Sequence, residues 1–222
     1  QQAESVHGAQ AIVDLANAHS GDIDLIAIGP LTNVALALAM DRELPSKIRE
    51  LWIMGGCDNS QGNVTAAAEY NFFVDPEAAQ MVLSAGFATT IVTWTLTLAQ
   101  ATWDDEQLEK IRQMGTPLSE FFSILDAPNR EHNGSVGIPG STHPDSLTAM
   151  LLVEPGLIRR SSQRYVEVET HSESTRGYSL MDVRETRPLG DRKHNATVID
   201  EVDEQGFYAK FMTLLEATVE RR

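Results

Sequence analysis

Cysteine occurs once in 222 residues, as Cys57, so neither an intramolecular disulfide nor a cysteine-built zinc cluster is open to this chain. Basic residues are scarce beside acidic ones, 17 Lys and Arg against 32 Asp and Glu, and the formal charge of −15 excludes a general basic surface for nucleic acid. No hydrophobic run approaches the roughly 18 apolar residues of a membrane span, and no basic-then-apolar leader opens the sequence. Together with the lone thiol, this points to a reducing, cytoplasmic setting. What is present, 42% hydrophobic and 22% charged residues, is the profile of one globular domain with a sizeable core. The acidic surplus suits a solvated surface, or cationic ligands and metals.

Periodicity supplies the organisation. Val6, Ala9, Ile12, Val13 and Ala16 recur at helical spacing and stop at His19-Ser20-Gly21. Ile23 to Ile28 is a short apolar run cut by Gly29-Pro30 before an Ala/Leu-rich helix over Leu31 to Met40. Leu51 to Met54 ends at Gly55-Gly56, and Phe87 to Trp94 follows a helix that Asp75-Pro76-Glu77 opens with a cap, a first-turn proline and an acid. Strands alternating with helices predict a parallel sheet covered by helices on both faces. Residues 104 to 125 read as helices broken at Gly115-Thr116-Pro117, Asn133 to Gly140 as a flexible loop, and Pro144 to Val153 as a helix. Arg164 to Thr170, Gly177 to Arg184 and Asn195 to Asp200 alternate like strands, and Phe207 to Val219 closes as a helix. With no repeat or linker, residues 1–222 read as a single domain.

Ligands of open parallel sheets bind at strand carboxyl ends, and three segments end strands suitably: Ile28 to Asn33, Met54-Gly55-Gly56, and Trp94 to Thr97. Their glycines are either ordinary turn residues or points where backbone approaches a ligand. In Gly62 to Asn71, the trio Asn63, Glu69 and Asn71 offers the donors and acceptors a polyol such as ribose needs, and serves equally well as loop caps. Asp145, after Thr142-His143-Pro144, is either a first-turn helix acid or a ligand for a hard cation. His143 is a proton donor or a solvent-exposed loop residue. Asp104-Asp105-Glu106 reads as a helix cap, and Trp52, Trp94 and Trp103 as core or rim aromatics.

Taken together, IAIGPLTNVALAL, WIMGG, GNVTAAAEYNFFVDPEAAQMVLSAG and HPDSLTAMLLVEP resemble the inosine-uridine-preferring nucleoside hydrolase family, in that family's order. The resemblance implies a mainly parallel α/β fold, a catalytic Ca²⁺, and hydrolysis of the N-glycosidic bond of ribonucleosides to ribose and free base, as in purine and pyrimidine salvage. It further implies a small-molecule nucleoside partner, a homo-oligomeric dimer or tetramer, and neither nucleic acid nor membrane as partner. Carried over residue by residue, it makes Asn63, Glu69 and Asn71 ribose-hydroxyl ligands and places Met54 along the sugar. Asp145 becomes a ligand of both Ca²⁺ and ribose, the Ile28 carbonyl a backbone calcium ligand, and His143 a candidate acid for the leaving base.

Two departures shape the expectation. The family's D-x-D-x-x-x-D-D cluster, which supplies the general base and most calcium carboxylates, does not occur in these 222 residues. The chain is therefore expected to correspond to the C-terminal two-thirds of the fold, truncated at the N-terminus and lacking its first strand-helix units. One carboxylate and one carbonyl fall short of the roughly six to eight oxygens Ca²⁺ takes, so the chain alone is expected to be incomplete and inactive. The alternative is a non-catalytic ribosyl-binding or interaction protein of the same descent. In addition, Pro144 stands directly before Asp145, where the family often has His, and Thr95 stands where the family often has Asp.

Overall fold

The computed structural model describes residues 5–184 and 192–217. In its first part, helix α1 (Gly8–Ala18) leads to β1 (Asp24–Ala27), α2 (Thr32–Met40), the single turn α3 (Leu44–Lys47) and β2 (Glu50–Met54). Then come α4 (Tyr70–Val74), α5 (Pro76–Leu83), β3 (Thr89–Val92) and α6 (Trp94–Gln100). The middle holds β4 (Thr102–Trp103), α7 (Asp105–Gln113), α8 (Pro117–Ser135), β5 (Ser141–Thr142) and α9 (Pro144–Val153). After a 3₁₀ turn at Pro155–Leu157 follow β6 (Ile158–Arg164), β7 (Val166–Val168), β8 (Ser179–Met181), β9 (Ala196–Val202) and α10 (Glu204–Glu216). By compactness the chain divides into two units, residues 1–95 with 160–200 and residues 96–159 with 201–222.

The first unit is built on a five-stranded sheet in the order β1-β2-β3-β9-β6. β1 runs parallel to β2 from Asp24 opposite Glu50 to Ala27 opposite Ile53. β2 runs parallel to β3 from Leu51 opposite Thr89 to Met54 opposite Val92, and β3 parallel to β9 with Ile91 opposite Val198. A mainly parallel α/β architecture is thus in place. Ala9, Val13 and Ala16 of α1, Val34 and Leu38 of α2, and Ala79 and Val82 of α5 pack in one cluster with Leu51, Ile53, Ile91 and Val198. Burying β2 and β3 on both faces is why their sequences run apolar without alternation. β1 lies at the edge, and its four residues are only half-buried.

Helix starts follow their side chains. The Asp75 carboxylate accepts from the Ala78 amide at 3.1 Å with Pro76 at the first helical position, as the Asp-Pro-Glu signal requires. In the second unit, Asp104 and Gln107 form a reciprocal capping box at α7, which gives the Asp104-Asp105-Glu106 run its structural role. The expected loop over Asn133 to Gly140 begins later than its glycines suggest, because α8 continues through Ser135. Asn133 is buried there, its amide donating to the Gly140 carbonyl at 3.2 Å. The closing helix ends at Glu216; Val219, expected within it, lies outside the described residues. Trp52, Trp94 and Trp103 are all buried.

Candidate active site

In the first unit, the carboxyl end of β2 and the loop that follows it are fastened from several sides. Gly55 donates to the Val92 carbonyl and Trp94 to the Gly56 carbonyl, at 3.1 and 2.8 Å, aligning the ends of β2 and β3. Gly56 has φ +72°, and a Cβ there would stand 2.8 Å from Ser179 Oγ. The glycine answers to packing and backbone conformation at once. Ser179, on β8, accepts from the Cys57 amide and donates to the Cys57 carbonyl, both at 2.9 Å. Asn59 reaches the same strand, its amide donating to the Met181 carbonyl at 2.6 Å and its oxygen accepting from the Met181 amide at 2.9 Å. Neither Ser179 nor Asn59 stands out in the sequence, because their partners lie 122 positions away.

Four of the candidate residues meet on this platform. Glu69 is buried, and its carboxylate accepts from the amides of Gly56 at 2.9 Å, Asn71 at 2.8 Å and Phe72 at 3.3 Å. It is the N-cap of α4 and ties that helix to the end of β2. Asn71, also buried, donates through Nδ2 to the Met54 carbonyl at 3.0 Å and approaches the Met54 sulfur at 3.4 Å. The exposed Asn63 accepts from the Tyr70 amide at 2.9 Å. Each residue of the trio thus caps or braces the loop, as the cap reading requires. Thr95, the residue in place of the family's Asp, accepts from the Asp58 amide at 3.1 Å. Ile28 directly follows β1 and is exposed.

His143 and Asp145 belong to the second unit. β4 pairs antiparallel with β5, Thr102 opposite Thr142, and the His143 amide donates to the Ala101 carbonyl at 2.9 Å, setting the entry to α9. His143 is only 7% exposed, which removes the solvent-exposed reading. Its ring lies 4.0 Å from that of Trp103 and 5.4 Å from that of Phe122. Nε2 has no hydrogen-bond partner among the described residues; the nearest carboxylate oxygen, of Asp126, is 3.9 Å away. Burial pushes the imidazole down to about 4, so it is neutral at pH 7. Burial likewise raises Asp126, against the opposing effect of the Ser141 hydroxyl that donates to it. Asp145 is the first-turn acid of α9. It is exposed at the surface, yet protein packed around the carboxyl raises it above the ordinary carboxylate range.

Among the described residues no three His, Cys, Asp or Glu side chains gather as metal ligands. Asp145 and the Ile28 carbonyl, with nothing more, do not make the oxygen-rich shell that Ca²⁺ requires.

A mainly parallel sheet with polar residues braced at a strand's carboxyl end is the architecture of an α/β enzyme that holds its ligand above the strand tips. The fold is that of the nucleoside hydrolases: a plant nucleoside hydrolase, PpNRh1, matches with a TM-score of 0.88 at 23% identity over 98% of this chain and 69% of that one. A purine-preferring ribonucleoside hydrolase from Gardnerella vaginalis matches with a TM-score of 0.85 at 27% identity, over 97% of this chain and 67% of that one. The sequence matches the family described as inosine-uridine preferring nucleoside hydrolase over residues 1–209, and the chain belongs to that family. It is 34% identical over 183 residues to the pyrimidine-specific ribonucleoside hydrolase RihB of Escherichia coli O17:K52:H18, covering 82% of this chain. It spans 58% of that relative's length.

Proposed function

We propose that this chain carries the ribose-recognition part of a nucleoside N-ribohydrolase, which splits ribonucleosides to ribose and free base. The observation that carries the reading is the buried Glu69 carboxylate, held by three backbone amides beside Asn71 and Met54 at the end of β2. In the reaction, water adds its oxygen to the anomeric carbon as the C–N bond breaks; the bonding pair goes to the base nitrogen, and the base takes up a proton. The sugar becomes cationic on the way, as in other glycoside cleavages. A fixed carboxylate near the ring stabilises that charge, and it does so without reorganising because its amide bonds already hold it. Asn71 and Asn63 present amide groups to ribose hydroxyls, while Met54 packs along the sugar.

Calcium dependence is part of the proposal, with a condition. By the family resemblance Asp145 would supply a carboxylate and Ile28 a backbone carbonyl to the ion, each only one of the roughly six to eight oxygens Ca²⁺ takes, and the described residues do not supply the rest. His143, neutral and enclosed by aromatic rings, is a poor proton donor to a leaving base at neutral pH. A cytoplasmic homo-oligomer organised as one domain completes this reading.

Product analysis tests it. Uridine and inosine are incubated with the chain and Ca²⁺, with and without a supplied segment bearing D-x-D-x-x-x-D-D, and ribose and free base are quantified by chromatography. Release of both products in equal amounts only when the segment is present is the expected result. Turnover by the chain alone overturns its incompleteness. Saturable binding of ribose or uridine, with no turnover even in the complemented mixture, overturns the enzymatic reading and favours a ribosyl-binding protein.

A further inference from the structure

Although the chain carries 32 acidic and 17 basic residues, the first unit contains a cleft where the balance is reversed. Its volume is about 680 Å³, within the roughly 300–1,000 Å³ typical of small-ligand sites. Arg160, Arg164, Arg184, Arg192 and Lys193 line it, against two carboxylates. The floor is rigid. Arg164, whose side chain is 11% exposed, is clamped between Asp58 and Asp200, and the Asp200 side chain is only 4% exposed. That triad places a guanidinium at fixed depth, and Arg160 lies 3.6 Å from the second Asp200 oxygen, so the carboxylates beneath are paired with floor arginines.

The rim retains donors. Arg184 spends Nε and Nη2 on Asp182, leaving Nη1. Arg192 donates through Nη1 to Glu167 at 2.7 Å and lies 5.1 Å from the Tyr165 ring centroid, which holds its guanidinium in place. No carboxylate among the described residues pairs with Lys193, which is exposed. His194 and Gln163 complete one wall, and both also border a second hollow of about 630 Å³ lined by Tyr165 and the first residues of β3 and β9. A planar fork, a point charge and a neighbouring aromatic recess are the parts from which phosphate-ester sites are made.

We propose that this cleft is an anion site for a phosphate or phosphomonoester, its charge held by Lys193, Arg192 and Arg184 and any organic portion lying toward Tyr165. Its residues are separate from Met54, Asn63, Glu69 and Asn71, so the site stands whether or not the chain hydrolyses nucleosides. Binding weakens with salt, because the rim cations are solvent-facing.

The test is ³¹P NMR and calorimetric titration of the full chain with inorganic phosphate and with uridine 5′-monophosphate, at low and at physiological salt. Wild type binds one phosphate saturably, and excess uridine does not displace it. Lys193→Glu weakens binding about tenfold, and Arg192→Gln weakens it in the same direction, since each removes a close positive charge. Lys110→Glu, on α7 of the other unit, makes the same net charge change and leaves affinity within about twofold. Circular dichroism confirms that each variant is folded. Tighter binding of the monophosphate assigns the site to a nucleotide, and equal binding to free phosphate; either keeps the proposal. No saturable binding, displacement by uridine, or equal losses in Lys193→Glu and Lys110→Glu overturns it.

Discussion

Glu69 and His143 are both buried polar residues in regions that the nucleoside hydrolase resemblance marks for function, and their surroundings treat them in opposite ways. Glu69 accepts three backbone amides, so its burial is compensated by the helix start and strand end it joins. His143 has stacking partners but no hydrogen bond at Nε2, and its environment is satisfied only by keeping the ring neutral. The Glu69 loop is fixed by backbone amides, whereas the His143 ring is fixed by aromatic packing.

The largest effect is expected in the frame of the His143 pocket. Gly140 has φ +85°, and a Cβ there would stand 2.0 Å from the Trp103 carbonyl oxygen. Gly140→Ala is expected to destabilise the protein by about 4 kcal/mol, from a backbone clash added to a strained conformation, as read from urea unfolding. An unchanged midpoint would show that the β4-β5 pair is not fixed as described.

Next comes pH. The folded imidazole of His143, at about 4, lies below its ordinary 6.5, so its contribution to stability is present above pH 6.5 and is lost as pH falls toward 4. The loss amounts to about 3 kcal/mol between pH 7 and pH 4. Urea midpoints across that range should decline less in His143→Phe than in wild type; parallel curves would mean that the imidazole is not buried neutral.

Glu69→Ala sharpens the other side. It leaves the Gly56, Asn71 and Phe72 amides without their acceptor and is expected to cost about 2 kcal/mol, while Glu69→Gln recovers part of that through its remaining carbonyl oxygen. Equal losses in both variants would indicate a packing role instead of an acceptor role. The smallest effect, about 1 kcal/mol, is expected for Asp104→Ala, which removes one arm of the α7 capping box.

Much of the fold is legible in the sequence because its signals are local. Asp75-Pro76-Glu77 declares a helix start by chemistry contained in three residues, and Leu51 to Met54 declares a buried strand by being apolar throughout. β6 is harder to see, since its sequence Ile-Arg-Arg-Ser-Ser-Gln-Arg is polar and its place at the sheet edge leaves most of it exposed. Helix α4 is hidden for another reason: its five residues start at a cap, Glu69, whose second partner, Gly56, is 13 positions back. For the proposed site, residue types and family order single out Met54, Glu69 and Asn71, but not that Glu69 is clamped by amides or that Ser179 and Asn59 tie the loop to β8. Those facts depend on contacts distant in sequence, and no local pattern records them.

Ribose recognition around Glu69 is the central proposal. The side-chain amide resonances of Asn71 and Asn63, followed in ¹⁵N-labelled protein during titration with uridine or ribose, test it directly without requiring turnover. We expect both to shift saturably, and the Asn71 shift to weaken in Glu69→Gln. Saturable ligand binding that leaves both amides unmoved would contradict the assignment of this loop to the sugar.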